Sequence, residues 1–213
     1  MPNIRFMGKM KTEADLTAGA ELPAGAVLFD EGEDLNELFK LGFVVIMPVL
    51  IPVMIGTIIR IEHMEKGRHL SFDLHTVCVA AAAVVVYFLL KAAHETIHAL
   101  FYPRRAKKTI WRYGSNGAWF CYCNAPVSRA RFIVLSLAPM VILGILPFIV
   151  WLFAADALDT AVNIAAVVLI WMMVLFAMGD AANVYNTLKQ VPQNACVVNY
   201  GLHSYWIPQT QEQ

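Results

Sequence analysis

Four long apolar runs constrain this sequence more than any other feature: about Leu41–Ile59, Thr76–Tyr102, Phe132–Ala154 and Ala161–Met178. About 20 apolar residues of helix cross a hydrocarbon core of about 30 Å. In lipid a segment must satisfy its own backbone hydrogen bonds, so such runs become helices. The chain is 59% apolar and only 15% charged, which is too apolar for an ordinary soluble domain. The reading is an all-α polytopic membrane protein: four transmembrane helices, with a small cytoplasmic β-hairpin between spans two and three. Three regions follow: a cytoplasmic N-terminal segment 1–40, a four-span domain 41–190 and a cytoplasmic tail 191–213.

The connections refine this. Asp34 is placed to cap a helix running from Leu35 through Lys40 into span one, with Glu37 completing a capping-box-like pattern. Pro48 and Pro52 lie inside span one, and Pro139 and Pro147 inside span three; each removes a backbone donor. Span two would be roughly 40 Å long as a helix, so it tilts or leaves the bilayer. Between spans two and three, Thr109–Tyr113 and Ala118–Cys123 flank Asn116-Gly117, the signature of a hairpin. Span four can continue as helix through Lys189-Gln190 to the break at Pro192. The tail reads as a second small hairpin around Asn199-Tyr200-Gly201. The first apolar run starts only near Leu41, so no cleavable leader is expected.

Charge sets the orientation. Arg5, Lys9, Lys11, Lys40, Lys189 and the seven Lys and Arg of 103–131 lie on one side of a four-span chain. Only Arg60, Lys66 and Arg68 lie on the other. That bias puts both termini in the cytoplasm of a cell (inner) membrane. Formal net charge is zero, which gives no sign of nucleic acid as a partner. Cys78, Cys121, Cys123 and Cys196 form neither a disulfide framework in a reducing compartment nor a zinc knuckle. His63, His69 and His75 fall at the far end of span two.

The last third of span two carries His94-Glu95-Thr96-Ile97-His98, an H-E-x-x-H pattern. On a helix, residues four apart share a face about 5–6 Å apart, so His94 and His98 can hold one Zn²⁺. Glu95 lies roughly 100° round the helix, where it can flank the metal and act as a general base on its water. Ionisable residues in such an apolar segment are functional by default. A catalytic zinc takes three protein ligands and a water. Asp180, the acid embedded near the end of span four, reaches the same end of the membrane as His94; His203 in the tail is the rival third ligand. Asn183 can orient a ligand or hold an oxyanion, and Lys91 lies one turn before Glu95.

HETIHALFY, a hairpin, APVSRARFIVLSLAPM and a span ending MGDAANVYN together resemble a family of small bacterial membrane proteins described as putative zincin peptidases. That family is similar in logic to the site-2 proteases. The resemblance covers most of the chain from about Leu41 onward. It implies His94, His98 and Asp180 as zinc ligands and Glu95 as the catalytic acid. Gly179-Asp180 departs from the Leu-Asp-Gly of site-2 proteases, and their substrate-binding asparagine has no assigned counterpart here.

The expected function is a membrane-embedded zinc metalloprotease with Glu95 as general base, acting on a peptide or membrane-protein substrate. The alternative is a non-catalytic zinc-binding membrane protein or metal-transport protein. A transporter spreads ionisable groups across several spans and depths, whereas here they share one level. A di-iron oxidase needs more histidines than His94, His98 and His203. Oligomeric state and substrate identity have no signature in the sequence.

Overall fold

A computed structural model describes residues 3–31, 35–64, 69–114 and 118–208. Among these described residues, four helical segments are long and apolar enough to cross a membrane, spanning Glu37–Glu62, Leu74–Phe101, Arg129–Ala157 and Thr160–Gln190. The first lies in α2 (Leu35–Glu62), which follows a short α1 (Ala14–Thr17); the second is α3 (Leu74–Phe101). α3 starts where the Asp73 side chain accepts from the Thr76 amide at 2.9 Å, satisfying an orphan donor of the first turn. The proposed Asp34 cap lies outside the described residues.

The third segment is α4 (Arg129–Met140), a π-helical turn Val141–Ile145, and α5 (Leu146–Ala154). The π turn sits between Pro139 and Pro147, which disrupt the regular ladder. The fourth is α6 (Thr160–Phe176) followed by α7 (Met178–Gln190), with a break at Ala177. Asn163, buried in α6, accepts from the Trp151 indole at 2.8 Å and donates to the carbonyls of Ala155, Leu158 and Asp159. One amide thereby satisfies the carbonyls of the turn that joins α5 to α6. Close approach of α2 and α7 depends on a glycine: a Cβ on Gly42 would run into the Met178 carbonyl.

The all-α expectation needs correction, because two β-sheets cover one end of the bundle. The first has the order β1-β3-β4 and the second β2-β7-β6-β5. β1 (Ile4–Lys9) pairs parallel with β3 (Lys108–Tyr113), which pairs antiparallel with β4 (Ala118–Tyr122). The β3–β4 pair is the hairpin read from the sequence; its Asn116-Gly117 turn lies outside the described residues. β6 (Ala195–Tyr200) and β7 (His203–Pro208) form the tail hairpin, closed at Gly201 with φ 63°. β2 (Val27–Leu28) and β5 (Val127–Ser128) flank it. The sheets escape the sequence reading because β1 finds its partner about a hundred residues away, and strands of two residues carry no periodicity.

The second sheet and the helix ends share a core of Phe29, Tyr102, Cys123, Val127, Phe132, Leu135, Val191, Ala195 and Val197, with Cys121 packed against it. Lys108 is fully buried, and its ammonium donates to the Pro103 and Arg104 carbonyls at 2.8 and 3.2 Å. It ties the first sheet to the chain leaving α3.

Candidate metal centre

His94 and His98 occupy one face of α3, as their spacing dictates, and both are buried. Their Nε2 atoms face each other at 3.1 Å. The break at Ala177 starts α7 afresh, so Asp180 falls in its first turn, where the helix dipole favours a carboxylate. Asp180 Oδ2 is 3.1 Å from His94 Nε2, and Oδ1 is 3.2 Å from His98 Nε2. Four atoms from two distant helices therefore converge on one point.

This convergence fits zinc. Tetrahedral ligands about 2.05 Å from the ion lie about 3.3 Å from one another, close to the observed 3.1–3.2 Å. The tautomer also fits. His98 Nδ1 lies 2.9 Å from the Leu135 carbonyl; a carbonyl only accepts, so Nδ1 carries the proton. The Nε2 lone pair of the neutral ring then faces the centre, the arrangement that orients metal-bound histidines. His94 is held differently. Its Nδ1 has no hydrogen-bond partner among the described residues, and its ring meets the edge of Phe176 at a centroid distance of 4.9 Å.

Glu95 is buried on the neighbouring face of α3. Its Oε2 accepts from the Cys121 amide at 2.7 Å. That bond comes from the edge of β4 not paired to β3, so this sheet edge lies against the H-E-x-x-H helix and is closed by Glu95 at Cys121. Only one of the two carboxylate oxygens is engaged by it.

The other sequence candidates are not among the three converging side chains. His203 is exposed on β7, with Nδ1 3.7 Å from Glu31 Oε2, and among the described residues the one group that could hold a metal is His94, His98 and Asp180. Asn183 accepts from the Thr187 hydroxyl through its carbonyl. Asn186 is buried, with Oδ1 accepting from Gln190 and Nδ2 unpartnered among the described residues. Lys91 Nζ lies over the rings of Phe176 and Tyr87, at 5.5 and 5.7 Å. The Leu135 carbonyl and the Cys121 amide are backbone groups that any residue supplies, so no sequence signal marks them. Phe176 looks like any other apolar residue of its span.

A family model described as "putative zincin peptidase" matches residues 87–196, a little over half of the chain. The chain belongs to that family. The matched stretch runs from within α3 into β6 and holds the H-E-x-x-H pattern, the hairpin and Asp180. The family description implies zinc, in agreement with the donor set. No curated protein and no solved structure matches the chain.

Proposed function

We propose that this zincin-family member is a membrane-embedded zinc endopeptidase of the H-E-x-x-H type, with His94, His98 and Asp180 as ligands and Glu95 as general base. The observation that carries this reading is the meeting of two α3 imidazoles with an α7 carboxylate at 3.1–3.2 Å, beside a buried acid that is not one of the three. Zinc held there supplies a Lewis acid for the scissile carbonyl and lowers the pKa of a bound water. Glu95 takes the proton from the attacking water and later passes it to the leaving amine. The Cys121 amide orients Glu95 by occupying Oε2 and leaving Oε1 for the proton. The edge of β4 on the Ala118–Phe120 side of Cys121, which pairs with β3 alone, is suited to a substrate peptide adding as a strand, with main-chain hydrogen bonds fixing its register.

The chain is proposed to reside in the cell membrane with both termini cytoplasmic, on the Lys and Arg bias, and to take a peptide or membrane-protein substrate. Metal analysis of the purified protein tests the reading. Wild type should carry about one zinc per chain, and the His94→Ala/His98→Ala chain none. Zinc-free wild type, or a double mutant as rich in zinc as wild type, ends it.

A further inference from the structure

The helices carry their own ruler for where the metal centre lies in the bilayer. At one end of the bundle, Arg60 pairs with Asp156 at 2.5 Å and His75 with Asp159 at 3.8 Å. These contacts show that the ends of α2, α3, α5 and α6 lie at one level. From Arg60 back to Lys40 along α2 is about 30 Å at 1.5 Å per residue. From Asp73 to Glu95 along α3 is about 33 Å, and from Asp159 to Asp180 along α6 and α7 about 32 Å. Each distance is close to the hydrocarbon thickness of about 30 Å. α2 and α7 run antiparallel, and Gly42 lies against Met178, so Lys40 and Asp180 share a level. Glu95 and Asp180 therefore fall at the far boundary of the hydrocarbon.

The first sheet has a face suited to that boundary. Pairing aligns Phe6 with Ile110 and Cys121, and Lys9 with Arg112 and Trp119, on one side of the sheet. The bulge between Phe6 and Gly8 is what brings Lys9 onto the same face as Phe6. Ile110 is buried and Cys121 packs against the core that includes Tyr102, Phe132 and Leu135, so this face looks toward the helical bundle. Beyond the helices it presents Phe6, 61% exposed and in edge contact with Trp119 at 6.1 Å, and the exposed cations Lys9 and Arg112. Aromatic rings beside Lys and Arg match the interface of a bilayer with anionic headgroups.

Building on the peptidase reading, we infer that this face rests on an anionic lipid surface and seats Glu95 and the β4 edge at the headgroup boundary, so that the substrate is the juxtamembrane segment of a membrane-anchored chain. The bond is cut beside the hydrocarbon rather than within it. A strand added to β4 would lie along the membrane surface, where a chain leaving its anchor is already extended and in reach of water.

Depth measurements test the placement without using activity. Nitroxides are attached at Leu89→Cys and Leu100→Cys, both exposed on α3, in a Cys78→Ser chain reconstituted into phosphatidylcholine–phosphatidylglycerol vesicles; the parent Cys78→Ser chain is the blank. Leu89 should collide with oxygen more than with an aqueous nickel chelate, and Leu100 the reverse. Oxygen-dominated collisions at Leu100 would sink the metal centre into the hydrocarbon and overturn the proposal. The Trp119 fluorescence, taken as wild type minus Trp119→Phe, should be quenched more by lipids brominated near the headgroup than near the chain end. The Lys9→Glu/Arg112→Glu chain should lose that quenching, with its zinc content unchanged. Trp119 quenched by aqueous acrylamide and untouched by brominated lipid also overturns the proposal. Correct depths in a zinc-free chain would leave the surface placement standing and end the peptidase reading alone. With activity in hand, the charge-reversed chain should cleave a lipid-anchored peptide about tenfold more slowly and an unanchored one at the wild-type rate; equal loss on both refutes the substrate class.

Discussion

Replacing Glu95 by Gln separates metal binding from chemistry, and the site geometry sets the size of each effect. Glu95 Oε2 accepts the Cys121 amide at 2.7 Å. A glutamine carbonyl can accept the same bond, so the edge of β4 stays against α3. Exchanging a charged acceptor for a neutral one costs about 1 kcal/mol, too little to unseat the hairpin. The three atoms proposed to ligate zinc belong to His94, His98 and Asp180, so Glu95→Gln should retain zinc at about one per chain. Glutamine cannot take the proton. Loss of a positioned general base costs about 10²–10⁴ in rate, or about 3–5 kcal/mol of barrier. The assay pairs zinc content by elemental analysis with peptide cleavage by the same preparation. Glu95→Ala is the structural control: it leaves the Cys121 amide without its acceptor, at about 1–3 kcal/mol, and amide exchange at Cys121 should accelerate in it but not in Glu95→Gln. If Glu95→Gln loses zinc as fully as His94→Ala, Glu95 is a ligand. If it cleaves within tenfold of wild type, Glu95 is not the base.

The other expectations follow from single contacts. Asp180→Ala should weaken zinc binding by about 100-fold or more, since even partners one step removed from the metal are worth 10–100-fold, while His203→Ala, on an exposed β7 position, should leave it unchanged; chelator competition reads both, and the reverse pattern would move the third ligand to the tail. Gly42→Ala forces a Cβ into the Met178 carbonyl and should destabilise the α2–α7 contact by about 1–3 kcal/mol, seen as a lower melting temperature in detergent; an unchanged melt would mean the helices part freely. Burial pushes the Glu31 carboxyl above its ordinary range, against the Ser204 hydrogen bonds and His203. The folded state therefore holds the Glu31 proton more tightly, so this group's contribution to stability falls as pH rises from about 4.5 through its raised pKa. Glu31→Gln should raise the melting temperature at pH 7 and not at pH 4; an equal shift at both pH values would exclude titration as the cause.

Much of the architecture is legible without coordinates, because it rests on local or compositional physics. Apolar runs long enough to cross hydrocarbon have one backbone solution, so the four helical segments follow from length alone. His94 and His98 face the same way because four residues are close to one helical turn. The hairpin arms show because β-branched and aromatic residues flank an Asn-Gly pair in the sequence. The tertiary structure decided what depends on meetings between distant segments. β1 joins β3 through backbone bonds that leave little trace in its side chains, which is why the chain is not all-α. Asp180 rather than His203 reaches the two histidines, because a break at Ala177 and the α2–α7 packing allowed by Gly42 fix where α7 begins. The proton on His98 Nδ1 is set by the Leu135 carbonyl, and Glu95 is oriented by the Cys121 amide. Those two partners are main-chain atoms, identical in every residue that could stand there, so only the folded chain says which of them arrives at the site.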